Sequence, residues 1–443
     1  MKKVQAPASK SVSHRMMIGA ALAEGESVVS RILESRDLER TMAILRCAGA
    51  GIRRIADGDY AVTGIAGRPE GGRDVPLSCD VHESGTTCRL LTAVLAAGSG
   101  LFRIHGAPRM HERPVGELTT VLERLGASFR FEGRAGFPPM VLQANGLTGG
   151  EVSIGMDESS QYLSGLLLAA PMAHAPMTVT VGGNKVVSWP YIGLTLNALE
   201  LFGIPFTVEC RRTPEDEWQA VSWRSLDEVR PNLVRFLMQP ASYRAGLYAV
   251  EGDWSGASYL LAAGAIGLEP VRVEGLNGQS LQGDRAMLDI LRSMGARIEV
   301  EENAVVVFPS NLHGVTVDMN RCPDLVPTVA VLAAFAEGTT TVTNVAHLRI
   351  KESDRIAAPA EELNRIGVRT IQHADGLSVE GLGKALRDRI PALETVSFSA
   401  HGDHRIAMSL ALLETLGAHI TLDDPTCVRK SFPDFWTRWE QVR

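Results

Sequence analysis

HESGTTCRLLTAVLAAGSG, residues 82–100, opens on a polar cluster and continues as an apolar run long enough for a helix. Ser and Thr in the cluster are suited to cap a helix N-terminus, and the Ala- and Leu-rich run behind them is a strong helix former. A short β-type segment and a charged loop follow. A second, amphipathic helix then closes at LERLGASF (122–129), where Gly suits a left-handed helix stop and an aromatic residue resumes a strand.

The same order of parts recurs along the 443 residues. Further polar openings are SKSVSHR (9–15), DESSQY (157–162), GDWSGAS (252–258), CPDLVPT (322–328) and HGDHR (401–405). Apolar runs such as MMIGAALAEG, LSGLLLAAPMA, YLLAAGAIG and VAVLAAFAEG stand behind them and read as core helices. Closings LRCAGAGI, LELFGIPF, LRSMGARI and LNRIGVRT match LERLGASF, and the last module instead runs into the C-terminus at WEQVR. Openings lie about 70 to 95 residues apart, beyond the usual solenoid period of about 20–50, so each module is a small αβ unit sharing a core with others. Residues 211–244 are charged, carry three prolines and lack the pattern, which places a lobe boundary near Val250 with three modules on either side. The expectation is an α/β chain whose first lobe is 1–8 with 251–443 and whose second is 9–250.

A net charge of −7 excludes a general nucleic-acid or acidic-membrane footprint, so any anion site must be a local concentration of Lys and Arg. The longest apolar stretches, such as 326–336, are about half a membrane span, and MKKVQAPASKSVSHR has no apolar run of a secretory signal. Six scattered cysteines without a CxxC pair fit reduced thiols in a cytoplasm and no zinc framework.

Five of the six openings have Ser, Thr or Asp placed to cap a helix, and free N–H groups at such ends attract phosphate or carboxylate. Lys10, Arg15, Arg89, Arg113, Lys351, Arg355, Arg405 and Lys430 lie in or near these segments, which suggests substrates with more than one anionic group. KESDR (351–355) sharpens the point. Pro359 marks a helix start behind it, and cations there oppose the macrodipole. For Arg89 an ordinary surface ion pair is an equal reading. GLGK (381–384) lacks the remaining features of a P-loop, and His401 with His404 lacks a third metal ligand.

PASKSVSHR, APRMHERPVGEL, SSQYLSGLLLAAP, VSWPYIGLT, EGDWSGASYLLAAGA, RIKESDR, GDHRIAMS and DPTCVRKSFPDFW resemble, in order, segments of the 5-enolpyruvylshikimate-3-phosphate synthase family. The resemblance runs from Gln5 to Trp436, with 211–244 unaligned. It implies a two-lobed enolpyruvyl transferase fold, each lobe a pseudo-threefold of βαβαββ units, six repeats in all, with the active site between lobes. It also implies transfer of the enolpyruvyl group of phosphoenolpyruvate to the 5-hydroxyl of shikimate 3-phosphate, in aromatic amino-acid biosynthesis. No cofactor or metal is implied, and the partners are the two small-molecule substrates, with no nucleic acid or membrane, for a cytoplasmic monomer.

Site residues follow from the resemblance. Lys10 would bridge both substrates, with Asp324 the base near the 5-hydroxyl and Glu352 the acid toward the methylene. Shikimate 3-phosphate would meet Lys10, Ser11, Arg15, Ser159, Ser160, Gln161, Ser188, Tyr191, Asp324 and Lys351. Phosphoenolpyruvate would meet Lys10, Gly85, Arg113, Gln161, Arg355, Arg405 and Lys430. This chain departs from the family at Glu83, where an amide is usual, at His347, which replaces Asn, and at Ala8 in the Pro-Ala-Ser-Lys turn. The usual N-terminal strand reads as largely missing. A UDP-N-acetylglucosamine enolpyruvyl transferase, the alternative enzyme, would show Lys-Asn where Lys10-Ser11 stands. A non-catalytic phosphometabolite-binding relative would not need Lys10, Asp324 and Glu352 together.

Overall fold

Every complete module builds its sheet in one way: a strand, a buried helix, a parallel second strand, an amphipathic helix, then two antiparallel strands. A parallel pair needs a crossover of a dozen residues or more, which the buried helix supplies. The computed structural model describes residues 1–392 and 395–443 and divides into two units, Lys10–Val250 and Met1–Ser9 with Glu251–Arg443.

In the unit Lys10–Val250 the helices are α1 (Lys10–Leu22), α2 (Arg36–Cys47), α3 (Gly85–Ala96), α4 (Gly116–Arg124), α5 (Gln161–Ala169) and α6 (Pro190–Leu201). One sheet runs Leu77–His82, Ser99–Gly106, Met140–Asn145, Ser128–Phe131 in spatial order, the first pair parallel and the others antiparallel. The first module repeats this order with Glu26–Ser30, Asp59–Thr63 and Gly51–Ala56, and Leu247–Ala249 supplies its parallel partner from the far end of the unit. In the third module Gly150–Met156 and Met177–Val186 pair with Val234–Met238 and Phe206–Cys210, and Gln219–Val221 adds an edge. The stretch 211–244 therefore does hold part of the repeat. Pro214, Pro231 and most of its charges lie in the loops that delay the fourth strand, Val234–Met238, and they hid it from the pattern.

The other unit uses the same order twice and then stops short. Lys2–Gln5 runs parallel to Val271–Glu274, followed by Ala304–Phe308 and Arg297–Val300. The N-terminal strand is thus present, although four residues were too few to read as one. Thr316–Asp318, Glu337–Thr343, Gly376–Leu382 and Thr370–His373 form the second sheet, and the sixth module has the parallel pair Val396–Phe398 and Ile420–Leu422. Its helices are α7 (Trp254–Ile266), α8 (Met287–Ser293), α9 (Val326–Ala334), α10 (Ala357–Arg365), α11 (Lys384–Arg389), α12 (His404–Leu410) and α13 (Phe435–Trp439). Phe435 stacks on Trp439 and meets Phe432 and Tyr259 edge-on, which fastens the C-terminus to α7.

Helices α1, α3 and α5 of one unit, and α7, α9 and α12 of the other, are buried almost end to end. Their polar and charged residues gather toward the N-terminal turns, and the remainder of each is largely apolar, as suits a helix surrounded by protein. In α1, α3 and α5 the residues that escape full burial are Lys10, Ser11, Thr86 and Gln161, all in the first turn. Solvent meets these helices at their N-termini. No helix among the described residues is long and apolar enough to cross a membrane.

Candidate active site

Arg15 is the centre of the polar cluster in the unit Lys10–Val250. Its side chain is buried, and its nitrogens donate to Thr195 Oγ1 (2.9 Å), Ser164 Oγ (3.2 Å) and the carbonyls of Ser11 (2.8 Å) and Tyr191 (2.9 Å). These four acceptors are neutral. Burial lowers the Arg15 pKa to about 10, which leaves the guanidinium charged at neutral pH without a carboxylate among those bonds. The Lys10 ammonium lies 3.3 Å from Asp37 Oδ2, in the first turn of α2. Ser159 and Ser160 are buried at the start of α5, where Ser159 Oγ accepts from the Gln161 N–H. Gln161 bridges two elements, donating to Thr86 Oγ1 (3.0 Å) and accepting from Arg89 Nη1 (2.9 Å).

Ser188 and Gly85 are fixed by backbone geometry. Ser188 sits at φ +55° between a strand and α6, a left-handed conformation uncommon for a residue with a Cβ, and its carbonyl accepts from the Tyr191 N–H. Gly85 is the first residue of α3, capped by Ser84 Oγ, which accepts from Thr87 N. A Cβ at Gly85 would fall 2.5 Å from Arg113 Nη2, so only glycine lets this guanidinium lie against the helix end. Arg113 Nη1 also donates to the Glu83 carbonyl (3.1 Å).

The second cluster lies in the unit that ends at Arg443 and is an ion network. Arg355, 2% exposed, meets Asp324 Oδ1 (2.9 Å), Glu352 Oε2 (2.9 Å) and Asp403 Oδ2 (2.7 Å). Arg405 Nη2 meets Asp324 Oδ2 (2.7 Å), and Lys430 meets Glu352 Oε1 (3.3 Å). Three cations thus face three carboxylates. Burial works against the Arg355 charge, yet Asp403, Glu352 and Asp324 together hold its pKa above the ordinary value. Asp403 is likewise kept below the usual carboxylate range, because Arg355 outweighs its burial. Lys351 is half-buried, just before Glu352.

This resolves the tension in KESDR. Asp354 caps α10, Oδ1 accepting from the N–H groups of Ile356 and Ala357, while Arg355 turns inward to its carboxylates. Asp403 was visible in the sequence only as a helix cap. It does cap α12, accepting from Arg405 N (2.9 Å), but it also binds Arg355 and Ser353. Asp37 gave no signal, because its partner is 27 residues away in sequence. Arg89 is not in a surface ion pair: it is buried, bonded to Gln161 and the Pro114 carbonyl, and packed over Tyr162. His401 pairs with Glu362 (3.0 Å), His404 stands 3.5 Å from Asp403, and His347 is buried in the turn Ala346–Ile350. No group of three or more His, Cys, Asp or Glu among the described residues is arranged to hold a metal ion.

Comparisons with known proteins agree on one family. A family model described as EPSP synthase (3-phosphoshikimate 1-carboxyvinyltransferase) matches residues 1–219 and 228–439. A 3-phosphoshikimate 1-carboxyvinyltransferase of Nitrosomonas europaea is 38% identical over 445 residues, covering 99% of this chain and 95% of the relative. One from Methanosphaerula palustris is 38% identical over 434 residues, covering 97% and 94%. The solved EPSP synthase of Acinetobacter baumannii superposes with a TM-score of 0.75 at 26% identity, covering 99% of this chain and 95% of that one.

Proposed function

The chain belongs to the EPSP synthase (3-phosphoshikimate 1-carboxyvinyltransferase) family, and from that premise we propose how its residues divide the reaction. It is a transferase of aromatic amino-acid biosynthesis that moves the enolpyruvyl group of phosphoenolpyruvate to the 5-hydroxyl of shikimate 3-phosphate, releasing phosphate. The hydroxyl oxygen bonds to C2 of the enol while C3 gains a proton. Loss of phosphate and of a C3 proton then restores the double bond.

Arg15, Ser11, Ser159, Ser160, Ser188, Tyr191 and Lys351 bind shikimate 3-phosphate. Arg15 supports this role best, as a buried cation whose described hydrogen bonds end on neutral oxygens. Arg113, beside Gly85, binds phosphoenolpyruvate with Arg355, Arg405 and Lys430. Lys10 and Gln161 meet both substrates.

Asp324 takes the hydroxyl proton, and Glu352 gives a proton to C3 and recovers one on elimination. The carrying observation is that both carboxylates are held by the same cations proposed for the anionic substrate. When substrate carboxylate and phosphate engage Arg355, Arg405 and Lys430, Asp324 and Glu352 lose counter-charge. A carboxylate that loses cationic partners becomes easier to protonate, so substrate binding itself prepares the acid and the base. On the same reading the enzyme works in the cytoplasm as a monomer, which its six free cysteines suit.

Phosphate release from phosphoenolpyruvate, assayed with shikimate 3-phosphate and with UDP-N-acetylglucosamine, tests the acceptor; turnover with only the latter would overturn the reading. Glu352→Gln should bind both substrates by calorimetry yet lose about 10²–10⁴-fold in kcat. Wild-type turnover in that variant would remove Glu352 as the acid.

A further inference from the structure

Asp284 lies in none of the segments that carry the family resemblance, on the turn Gly283–Ala286 that leads into α8. Two residues earlier, Gln282 clamps the start of α7: its Oε1 accepts from the Trp254 N–H (3.1 Å) and its Nε2 donates to the Gly252 carbonyl (2.8 Å). That clamp sets Asp284 against Ser255, in the first turn of α7. Asp284 is 4% exposed, its Oδ1 has no hydrogen-bond partner among the described residues, and its carboxyl is hydrogen-bonded to Ser255. Ser255 Oγ in turn accepts from Arg405 Nη1, and Arg405 Nη2 lies on Asp324. A continuous line of hydrogen bonds thus runs from Asp284 through Ser255 and Arg405 to Asp324.

We infer that Asp284 is a positioning residue for phosphoenolpyruvate, setting through Ser255 how firmly the Arg405 guanidinium is held by the protein rather than by the ligand. This rests on the assignment of Arg405 to that substrate. The charged groups facing Asp284 are Asp324, Arg405 and Asp253, with the Cys322 thiol also near. Two anions against one shared cation compensate a buried charge poorly. Burial first, then Asp324, push its pKa up to about 7. Below that pH the neutral acid leaves Arg405 with Asp324 as its carboxylate partner. Above it, the ionised carboxylate accepts a hydrogen bond from the Ser255 hydroxyl. The serine oxygen then becomes a stronger acceptor for Arg405, and a second negative charge opposes an incoming anion.

The test is steady-state kinetics of the full-length enzyme from about pH 5.5 to 8.5, comparing wild type with Asp284→Asn and Ser255→Ala. In wild type the KM for phosphoenolpyruvate should rise as pH passes about 7. The rise should approach tenfold for each unit by which ligand and Asp284 ionisation are coupled. Asp284→Asn mimics the neutral acid, so its KM should stay low and lack this component, with the difference in KM rather than kcat. Ser255→Ala cuts the relay and should flatten the same component. Ionisation of phosphoenolpyruvate affects all three proteins alike and cancels between them. Parallel KM profiles in wild type and both variants would overturn the inference. Failure of wild type to release phosphate from phosphoenolpyruvate would instead sink the underlying assignment. Should Asp284→Asn fail to fold, the Ser255→Ala profile decides.

Discussion

At the first position of α3, the hydrogen of Gly85 is all that separates the backbone from the Arg113 guanidinium. Gly85→Ala keeps an acceptable helical backbone, because this glycine is not among those with positive φ, and Ala is the better helix former. The cost falls on Arg113, which must move. A displaced charge-assisted contact is worth roughly 1.5–3 kcal/mol, so the KM for phosphoenolpyruvate should rise about tenfold or more while the melting temperature hardly changes. An unchanged KM would mean that Arg113 does not meet this substrate. Glu83, two residues earlier, tests the same place from the opposite sign. Its backbone carbonyl already holds Arg113, so Glu83→Asn preserves that bond and removes only a carboxylate. The KM for phosphoenolpyruvate should fall, and an increase would show that the carboxylate orients the site rather than repelling the substrate.

Arg15 acts at the scale of elements, because three of its four hydrogen bonds tie α1 to Ser164 on α5 and to Tyr191 and Thr195 on α6, the fourth closing on Ser11 of its own helix. Arg15→Ala would remove these bonds and the buried side chain that makes them, and should destabilise the protein by about 2–4 kcal/mol in urea titration, besides weakening shikimate 3-phosphate binding. Arg15→Lys keeps the charge but not the fork of donors. If it recovered full stability, the bonds between helices would matter less than the charge. Such ties mark where the sequence could be read and where it could not. The six openings were legible because a cap and an apolar run are neighbours in the chain, and the six buried helices begin at or within those openings. Val234–Met238 was not, since its partners Met177–Val186 and Phe206–Cys210 lie across a loop of unrelated composition. Lys2–Gln5 is a strand because Val271–Glu274 offers it an edge, a fact no local pattern contains. The pairings Asp37–Lys10 and Asp403–Arg355 are equally non-local. Residue types at the site could be named from sequence, whereas the partners that hold them required the packed chain.

Over the whole molecule, two buried groups titrate with opposite consequences, one in each unit. His14 on α1 bonds Thr41 Oγ1 through Nδ1 (2.9 Å), has no partner for Nε2 among the described residues, and is lowered by burial from 6.5 to about 3. The unfolded chain gains the His14 proton as pH falls below 6.5, but the folded chain does not until about 3. Its contribution is therefore intact above 6.5 and is lost on acidification. Asp284 is raised from 3.8 to about 7, so the folded chain keeps a proton that the unfolded chain has released. Its contribution is intact below 3.8 and falls as pH rises to about 7. Each slope can reach about 1.4 kcal/mol per pH unit. Each unit has its own buried helices, so hydrogen exchange of α1 and α3 reports one slope and exchange of α7 and α9 the other. Comparing the same peptide in wild type and variant at one pH removes the intrinsic pH dependence of exchange. His14→Gln should relieve the acid loss of protection in α1 and α3 and leave α7 and α9 unchanged. Asp284→Asn should raise protection in α7 and α9 increasingly from about pH 4 to 7 and leave α1 and α3 unchanged. Equal responses of both units to either variant would show that they open as one cooperative body, and the assignment of a separate pH response to each would fail.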